Sequence, residues 1–306
     1  MILVAGLSPA LQQVLVFDAV TPGAVNRARA VHWCASGKVL NAARALHHLG
    51  GPAKALTVVG GIPGAVVQRD CARLGIAARW VASAEPTRVC TTVLDRAQHT
   101  ATELVPDAPA LSADERAAFT AAYAEEAAPA AVVVLIGSLP AGMPAGFYRD
   151  LLARTPGRAV LDARGDELLA ALDARPFLVK PNRAELGRTF GRELRTDGEL
   201  FDALRELVRR GATWAVVTDG PNPIYAGTRD RLYRIVPPPR AVVNPIGCGD
   251  CLAAGIAWAL DHGRDPLDAI RHGAAAAAAK LGQLLPGQLD PAEAADILRS
   301  VEVRPV

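Results

Sequence analysis

Short apolar runs recur at Ile2–Leu7, Ala55–Val59, Ala131–Ile136, Ala159–Leu161, Phe177–Val179 and Ala215–Thr218, and stretches of helical character separate them. That alternation predicts a mostly parallel sheet covered by helices on both faces. Turn and polar residues follow the runs at Gly60-Gly61, Gly137-Ser138, Lys180-Pro181-Asn182 and Asp219-Gly220. In open α/β sheets the carboxyl ends of the strands are where ligands bind, so these four turns are candidates for a site.

Two segments break the rhythm. One runs from about residue 12 to 33 and the other from about 87 to 104, the latter reading as strands around a turn near residues 96–99. They could form a small β-lid over the sheet edge. Between them, Lys38 to Leu49 repeats apolar residues at helical spacing and stops at Gly50-Gly51, a common helix terminus. The alanine run from Ala274 to Ala279 reads as a closely packed helix rather than a low-complexity segment. No internal repeat or long linker is visible, and the chain is expected to form one domain over residues 1–306.

Composition narrows the partners. A net charge of +2 over 306 residues supplies no field for nucleic acid or an acidic membrane surface, which favours small-molecule partners. Only four of the basic residues are lysines, Lys38, Lys54, Lys180 and Lys280, so each merits attention. Five scattered cysteines do not form a disulfide framework, and a reducing cytoplasm is expected. The opening Met-Ile-Leu-Val-Ala-Gly-Leu lacks a basic leader, and no apolar run approaches the roughly 18 residues of a membrane span.

The segment Asn244-Pro-Ile-Gly247-Cys248-Gly249-Asp250-Cys251 opens directly into an apolar helix. A helix start offers unpaired N–H groups and a positive dipole end to an anion. Phosphoryl transfer needs such donors together with a carboxylate that orients and deprotonates the attacking hydroxyl, the role Asp250 could fill. The plainer alternative is an Asp that caps a helix. Ser36-Gly37-Lys38-Val-Leu-Asn41 is a second turn entering a helix, with Asn41 able to donate to and accept from a polyol, or simply satisfied at a helix start. In Lys180-Pro-Asn182-Arg-Ala-Glu185, Asn182 and Glu185 stand one helical turn apart. They could hold Mg²⁺ through water or form a capping pair.

Together and in this order, these elements resemble the PfkB (ribokinase-like) carbohydrate kinases over nearly the whole chain. The opening Leu7-Ser8-Pro9-Ala10-Leu11, the Val25-Asn26-Arg27 step, Thr87-Arg88 and Gly137-Ser138-Leu139-Pro140 are similar to the 1-phosphofructokinase and tagatose-6-phosphate kinase branch. The resemblance implies a three-layer ribokinase-like sandwich with a discontinuous β-lid. It also implies transfer of a phosphoryl group from ATP, with Mg²⁺, to a primary hydroxyl of a ketose phosphate such as fructose 1-phosphate or tagatose 6-phosphate. K⁺ is a further candidate ion. By position, Asp250 matches the base and Gly247, Cys248 and Gly249 the anion hole. Gly37 and Asn41 match sugar contacts, and Arg27, Arg88, Lys38 and Ser138 the grip on the phosphate already present. Lys180, Asn182, Glu185, Thr218 and Gly220 match the nucleotide and metal side. A homodimer through the lid, with Arg27 acting across it, is also implied.

Three departures bear on specificity. Gln12 stands where these relatives carry an Asp that binds sugar hydroxyls, Ser36 replaces a glycine, and Pro223 falls where a glycine shapes the nucleotide pocket. They motivate two alternatives: a kinase for a free sugar or nucleoside, and a catalytically weak sugar-phosphate-binding regulator. A redox protein using Cys248 and Cys251 is a further rival. The helix start favours a thiolate at Cys248, neighbouring Asp250 opposes one, and an inert residue filling the turn is the alternative.

Overall fold

The structure is a computed structural model describing residues 1–306. Seven parallel strands form the heart of a ten-stranded sheet: β1 (Ile2–Ala5), β4 (Ala53–Val59), β5 (Ala78–Ala82), β8 (Val132–Ile136), β9 (Arg158–Asp162), β10 (Leu178–Val179) and β11 (Trp214–Val217). Their order across the sheet is β5-β4-β1-β8-β9-β10-β11, continued antiparallel by β12 (Ile224–Gly227), β13 (Leu232–Val236) and β14 (Glu302–Pro305). All six apolar runs become strands, within two residues at either end. Strands β5 and β14 at the two edges, with β13 and β12 inside β14, lie outside those runs: all four are short, and β5, β13 and β14 are only partly buried.

The two interrupting segments supply a second, four-stranded sheet. Its strands are β2 (Ala10–Phe17), β3 (Ala30–Ser36), β6 (Val89–Asp95) and β7 (Thr100–Leu104), in the order β3-β2-β6-β7.

Helices α1 (Lys38–His48), α2 (Gly61–Arg73), α3 (Ala113–Ala127), α4 (Phe147–Leu152), α5 (Gly165–Ala171), α6 (Arg183–Thr189), α7 (Asp197–Arg210), α8 (Cys248–Asp261), α9 (Pro266–Leu281) and α10 (Pro291–Leu298) cover the large sheet. The cores on its two faces are distinct. One packs α1, α8, α9 and α10 against alternate residues of the central strands, and the other packs α3, α4, α5 and α7 against the remaining ones.

The alanine run lies in α9, which is buried against α8 along a seam with no room for larger side chains. A methyl group on Gly255 would lie 2.8 Å from Gly273 Cα, and one on Gly273 would lie 2.6 Å from Leu252 O. The start of α9 is well specified: the Asp265 carboxylate accepts from the N–H groups of Leu267 and Asp268, and Pro266 occupies the first helical position, where its missing N–H has no consequence.

Candidate active site

The carboxyl ends of the parallel strands and the inner face of the second sheet enclose a cleft of about 1050 Å³. On its floor, Gly247 takes the left-handed conformation (φ 89°) that a side chain would strain and ends the turn from which α8 starts. The Cys248 N–H donates to Pro245 O at 3.3 Å, while the next N–H groups of α8 have no helical partner and lie at the positive end of the helix dipole beside the cleft. Gly249 lies so close to the Lys180 ammonium that a Cβ there would sit 3.4 Å from Nζ.

Asp250 stands in the first turn of α8, 5% exposed. Its Oδ2 accepts from Asn41 Nδ2 at 2.7 Å, and Asn41 Oδ1 accepts from Ser36 Oγ at 2.9 Å. The relay fixes the carboxylate from the start of α1, a helix that Gly37 can begin because at φ 86° it has no Cβ to strike Ser8 O. Burial pushes the Asp250 carboxyl up to about 6, against the pull of Lys38 and the Asn41 hydrogen bond. A carboxylate so poised can accept a proton near neutral pH and is still mostly ionised there.

Asp162, at the end of β9, is a central residue that sequence motifs do not mark. It is 1% exposed, and its two oxygens lie 3.0 Å from Lys38 Nζ and 2.9 Å from Lys180 Nζ. Burial alone would raise its pKa, but the two ammonium groups hold it below the ordinary carboxylate range. The same proximity works in reverse on Lys38. Burial lowers its pKa, and the carboxylates of Asp162, Glu185 and Asp250 more than restore it, so the net shift is upward. Lys38 thus lies on the floor beside Asp162, with 39% of its side chain still exposed where it lines the cleft.

Asn182 and Glu185 form a reciprocal cap at the start of α6. Asn182 Oδ1 accepts from Glu185 N at 2.8 Å, and Glu185 Oε2 accepts from Asn182 N at 3.0 Å. Of the two readings that their spacing allows, the structure shows the capping pair, which engages the carboxamide oxygen at the helix start. Glu185 Oε1 remains, 3.9 Å from both Lys38 Nζ and Arg164 Nη1. Thr218 and Gly220 line the same end of the cleft, where Thr218 bridges to Asn182.

The second sheet contributes the opposite wall. Strand register puts Gln12, Cys90 and Glu103 on the face toward the cleft. Gln12 is buried and donates to Thr92 Oγ1 at 2.8 Å. Glu103, at the rim, was not singled out from the sequence. Burial and the nearby charge of Asp250 push its carboxyl up, while Arg88 pulls it down. Arg88 lines the cleft but is tethered: its guanidinium donates to Ser8 O and Pro106 O at 3.0 Å each and reaches Pro9 O at 3.4 Å. Five N–H groups leave two for a ligand. Ser138 lies beside it, its carbonyl accepting from Ser8 Oγ at 2.9 Å. Arg27 is exposed in the connection between β2 and β3, outside the cleft of its own chain.

Of the two readings of Cys248, the structure favours the inert residue filling the turn over the thiolate. Burial, against the pull of Lys280 and with Asp250 adding to it, pushes this thiol up to about 11, and burial also raises the Cys251 thiol well above its ordinary value. At neutral pH both are protonated, and all five cysteines are free.

The description "pfkB family carbohydrate kinase" matches residues 11–292 of the chain. This protein belongs to the pfkB family. Among solved structures it is similar to phosphofructokinase-2 from Escherichia coli, determined in complex with fructose-6-phosphate and in complex with potassium. Identity is 27% over 98% of each chain, with TM-scores of 0.88 and 0.90 respectively. A possible 1-phosphofructokinase from Thermotoga maritima shares 20% identity over the full length of both chains (TM-score 0.91). Ribokinase from the same organism shares 18% identity over 97% of this chain and 99% of its own (TM-score 0.76). The pfkB chain described here is thus a carbohydrate kinase with a ribokinase-like α/β fold, and no helix in it is long and apolar enough to cross a membrane.

Proposed function

We propose that this kinase transfers the γ-phosphoryl group of ATP to a primary hydroxyl of a ketose phosphate. The observation that carries the reading is the buried Asp250 carboxylate in the first turn of α8. It shares one cleft with an arginine, Arg88, whose two remaining N–H groups can pair with a phosphate that the acceptor already bears. Similarity to a phosphofructokinase solved with fructose-6-phosphate supports the same acceptor class.

In this mechanism Asp250 orients the acceptor hydroxyl through one oxygen while Asn41 holds the other, and Asp250 takes the proton as the new P–O bond forms. The N–H groups that open α8 and the Lys180 ammonium face the oxygens on which charge gathers, so the donors need not reorganise during transfer. Thr218 and Gly220 lie along the nucleotide, and the second sheet acts as a lid that excludes water.

No three His, Cys, Asp or Glu side chains gather as a metal cage. The residues present therefore fit a Mg²⁺ that keeps most of its water and is held by the phosphates, with Glu185 Oε1 contributing through water. When bound, the ion neutralises charge between the phosphates.

The face of the second sheet turned away from the cleft carries Val31, Trp33, Val89 and Leu104, exposed by 39–58%. One face of a four-stranded sheet so apolar fits a second copy, which would also bring Arg27 toward a cleft. Sedimentation at micromolar concentration tests the homodimer, and a Trp33→Glu variant should run as a monomer.

The acceptor is tested by ADP release over a panel of sugar phosphates, free sugars and nucleosides. A sugar phosphate should give the highest kcat/KM. Arg88→Ala should lower that value by about 10- to 100-fold, mostly through KM, and leave free sugars unchanged. A free sugar outcompeting every phosphorylated one would overturn the acceptor class and leave the kinase family intact.

A further inference from the structure

Lys280 is 0% exposed, an unusual place for an ammonium group. It lies in the last turn of α9, and its Nζ donates to Asn244 O at 2.7 Å and to Gln283 O at 3.0 Å. No carboxylate touches it. Asn244, itself 0% exposed, begins the turn that ends at Gly247. Its side chain donates to Leu284 O and accepts from Ile246 N, so the turn and the segment after α9 are stitched together around the ammonium. Cys34, Cys248, Cys251 and Asp250 are the titratable groups within electrostatic reach. Burial pushes the Lys280 pKa down, and those four groups oppose the shift.

Packing does not require this residue. Taking an ammonium out of water is costly, two carbonyl contacts only partly offset that cost, and a methionine would fill the same space. What a lysine supplies here and an apolar side chain cannot is a fixed positive charge beneath the turn. It also gathers carbonyl oxygens from two chain segments, as a bound monovalent cation does.

We propose that Lys280 is a built-in cation that positions the Asn244–Gly249 turn for phosphoryl transfer, so that the enzyme needs no dissociable monovalent cation there. The proposal rests on the reading of that turn as the holder of the transferred group. Lys280 acts through the turn and is a positioning residue: it should affect kcat and leave the acceptor KM nearly unchanged.

The test compares wild type, Lys280→Ala and Lys280→Met in KCl, NH₄Cl and choline chloride at equal ionic strength, by ADP release and by thermal unfolding. Wild type should show the same kcat and the same Tm in all three salts. Lys280→Ala should lose about 10- to 100-fold in kcat in choline chloride, the scale of a lost charged hydrogen bond. K⁺ or NH₄⁺ should restore at least several-fold of the loss and raise the variant's Tm. Lys280→Met, which fills the space, should show the kcat loss without rescue.

Severalfold activation of wild type by K⁺ over choline would overturn the proposal, and that measurement depends on no variant folding. A Lys280→Ala deficit that neither K⁺ nor NH₄⁺ relieves, in rate or in Tm, overturns it as well. Failure of the kinase reading would look different: wild type would release no ADP with any acceptor, while the salt dependence of Tm would still decide the role of Lys280.

Discussion

The two walls of the cleft are built on opposite principles. The floor, from β9, α1, α6 and α8, is a set of buried charges that compensate one another: Asp162 between Lys38 and Lys180, and Asp250 held by Asn41. The facing wall, from β2, β6 and β7, is made of neutral hydrogen bonds and rim charges, with Gln12 on Thr92 and Arg88 tied to backbone carbonyls. A buried charge without its partner is expensive, so every element of the floor constrains the others. On the facing wall a side chain can be exchanged at the cost of one hydrogen bond. On the proposed reading, chemistry belongs to the wall that cannot drift and acceptor choice to the wall that can.

The sharpest way to break this contrast is at the floor. Asp250→Asn keeps the shape and the contact to Asn41 but removes the base. It should lower kcat by about 10² to 10⁴ while both KM values change little, and near-normal turnover would take Asp250 out of the mechanism. Asp162→Asn should cost about 3 kcal/mol in denaturant unfolding, because two ammonium groups lose their only shared anion. That figure is the low end for a broken buried pair, since Lys38 is partly exposed. Loss of less than about 0.5 kcal/mol, the size of a surface change, would mean the floor is not a compensated network.

Acid offers a gentler probe. With Asp250 titrating near 6, kcat/KM should fall about tenfold per pH unit well below that value. Stability should move the other way. The folded state raises this pKa above its ordinary 3.8, so between about pH 4 and 6 the native protein binds more protons than the unfolded chain, and Asp250 destabilises the fold less as pH falls. The stability difference between wild type and Asp250→Asn should therefore shrink on acidification over that window, and a difference that widens would contradict the raised value. The smallest effect is expected at Cys248, whose protonated thiol should leave turnover within about twofold in Cys248→Ser. Rapid inactivation of wild type by a thiol reagent at pH 7, absent in the Ser variant, would show the thiol to be more acidic than its burial allows.

The floor was the more legible wall from sequence, for a physical reason. Gly247, Gly249 and Asp250, or Gly37 and Asn41, are contiguous because a turn opening a helix must gather its donors from neighbouring residues. Asp162 has no such signature. It ends a strand of ordinary composition, and its partner Lys38 is 124 positions away, so only the fold reveals that the two few-and-far lysines meet on it. Glu103 was hidden for a related reason, since in an exposed strand of alternating residues nothing local distinguishes the side facing a cleft. The capping role of Asn182 and Glu185 was one of two readings their spacing allowed, and the helix took it.

The seam between α8 and α9, where Gly255 and Gly273 admit no methyl group, sets terms for directed evolution of this enzyme. Libraries that vary the glycines of this seam should mostly return destabilised clones, because each added carbon meets backbone atoms at less than 3 Å that cannot swing away. On the proposed reading, diversity concentrated at Gln12, Cys90 and Glu103 samples new acceptors on the second sheet, away from that seam. A carbohydrate kinase of this architecture is therefore best retargeted by remaking its roof, with its foundation inherited unchanged.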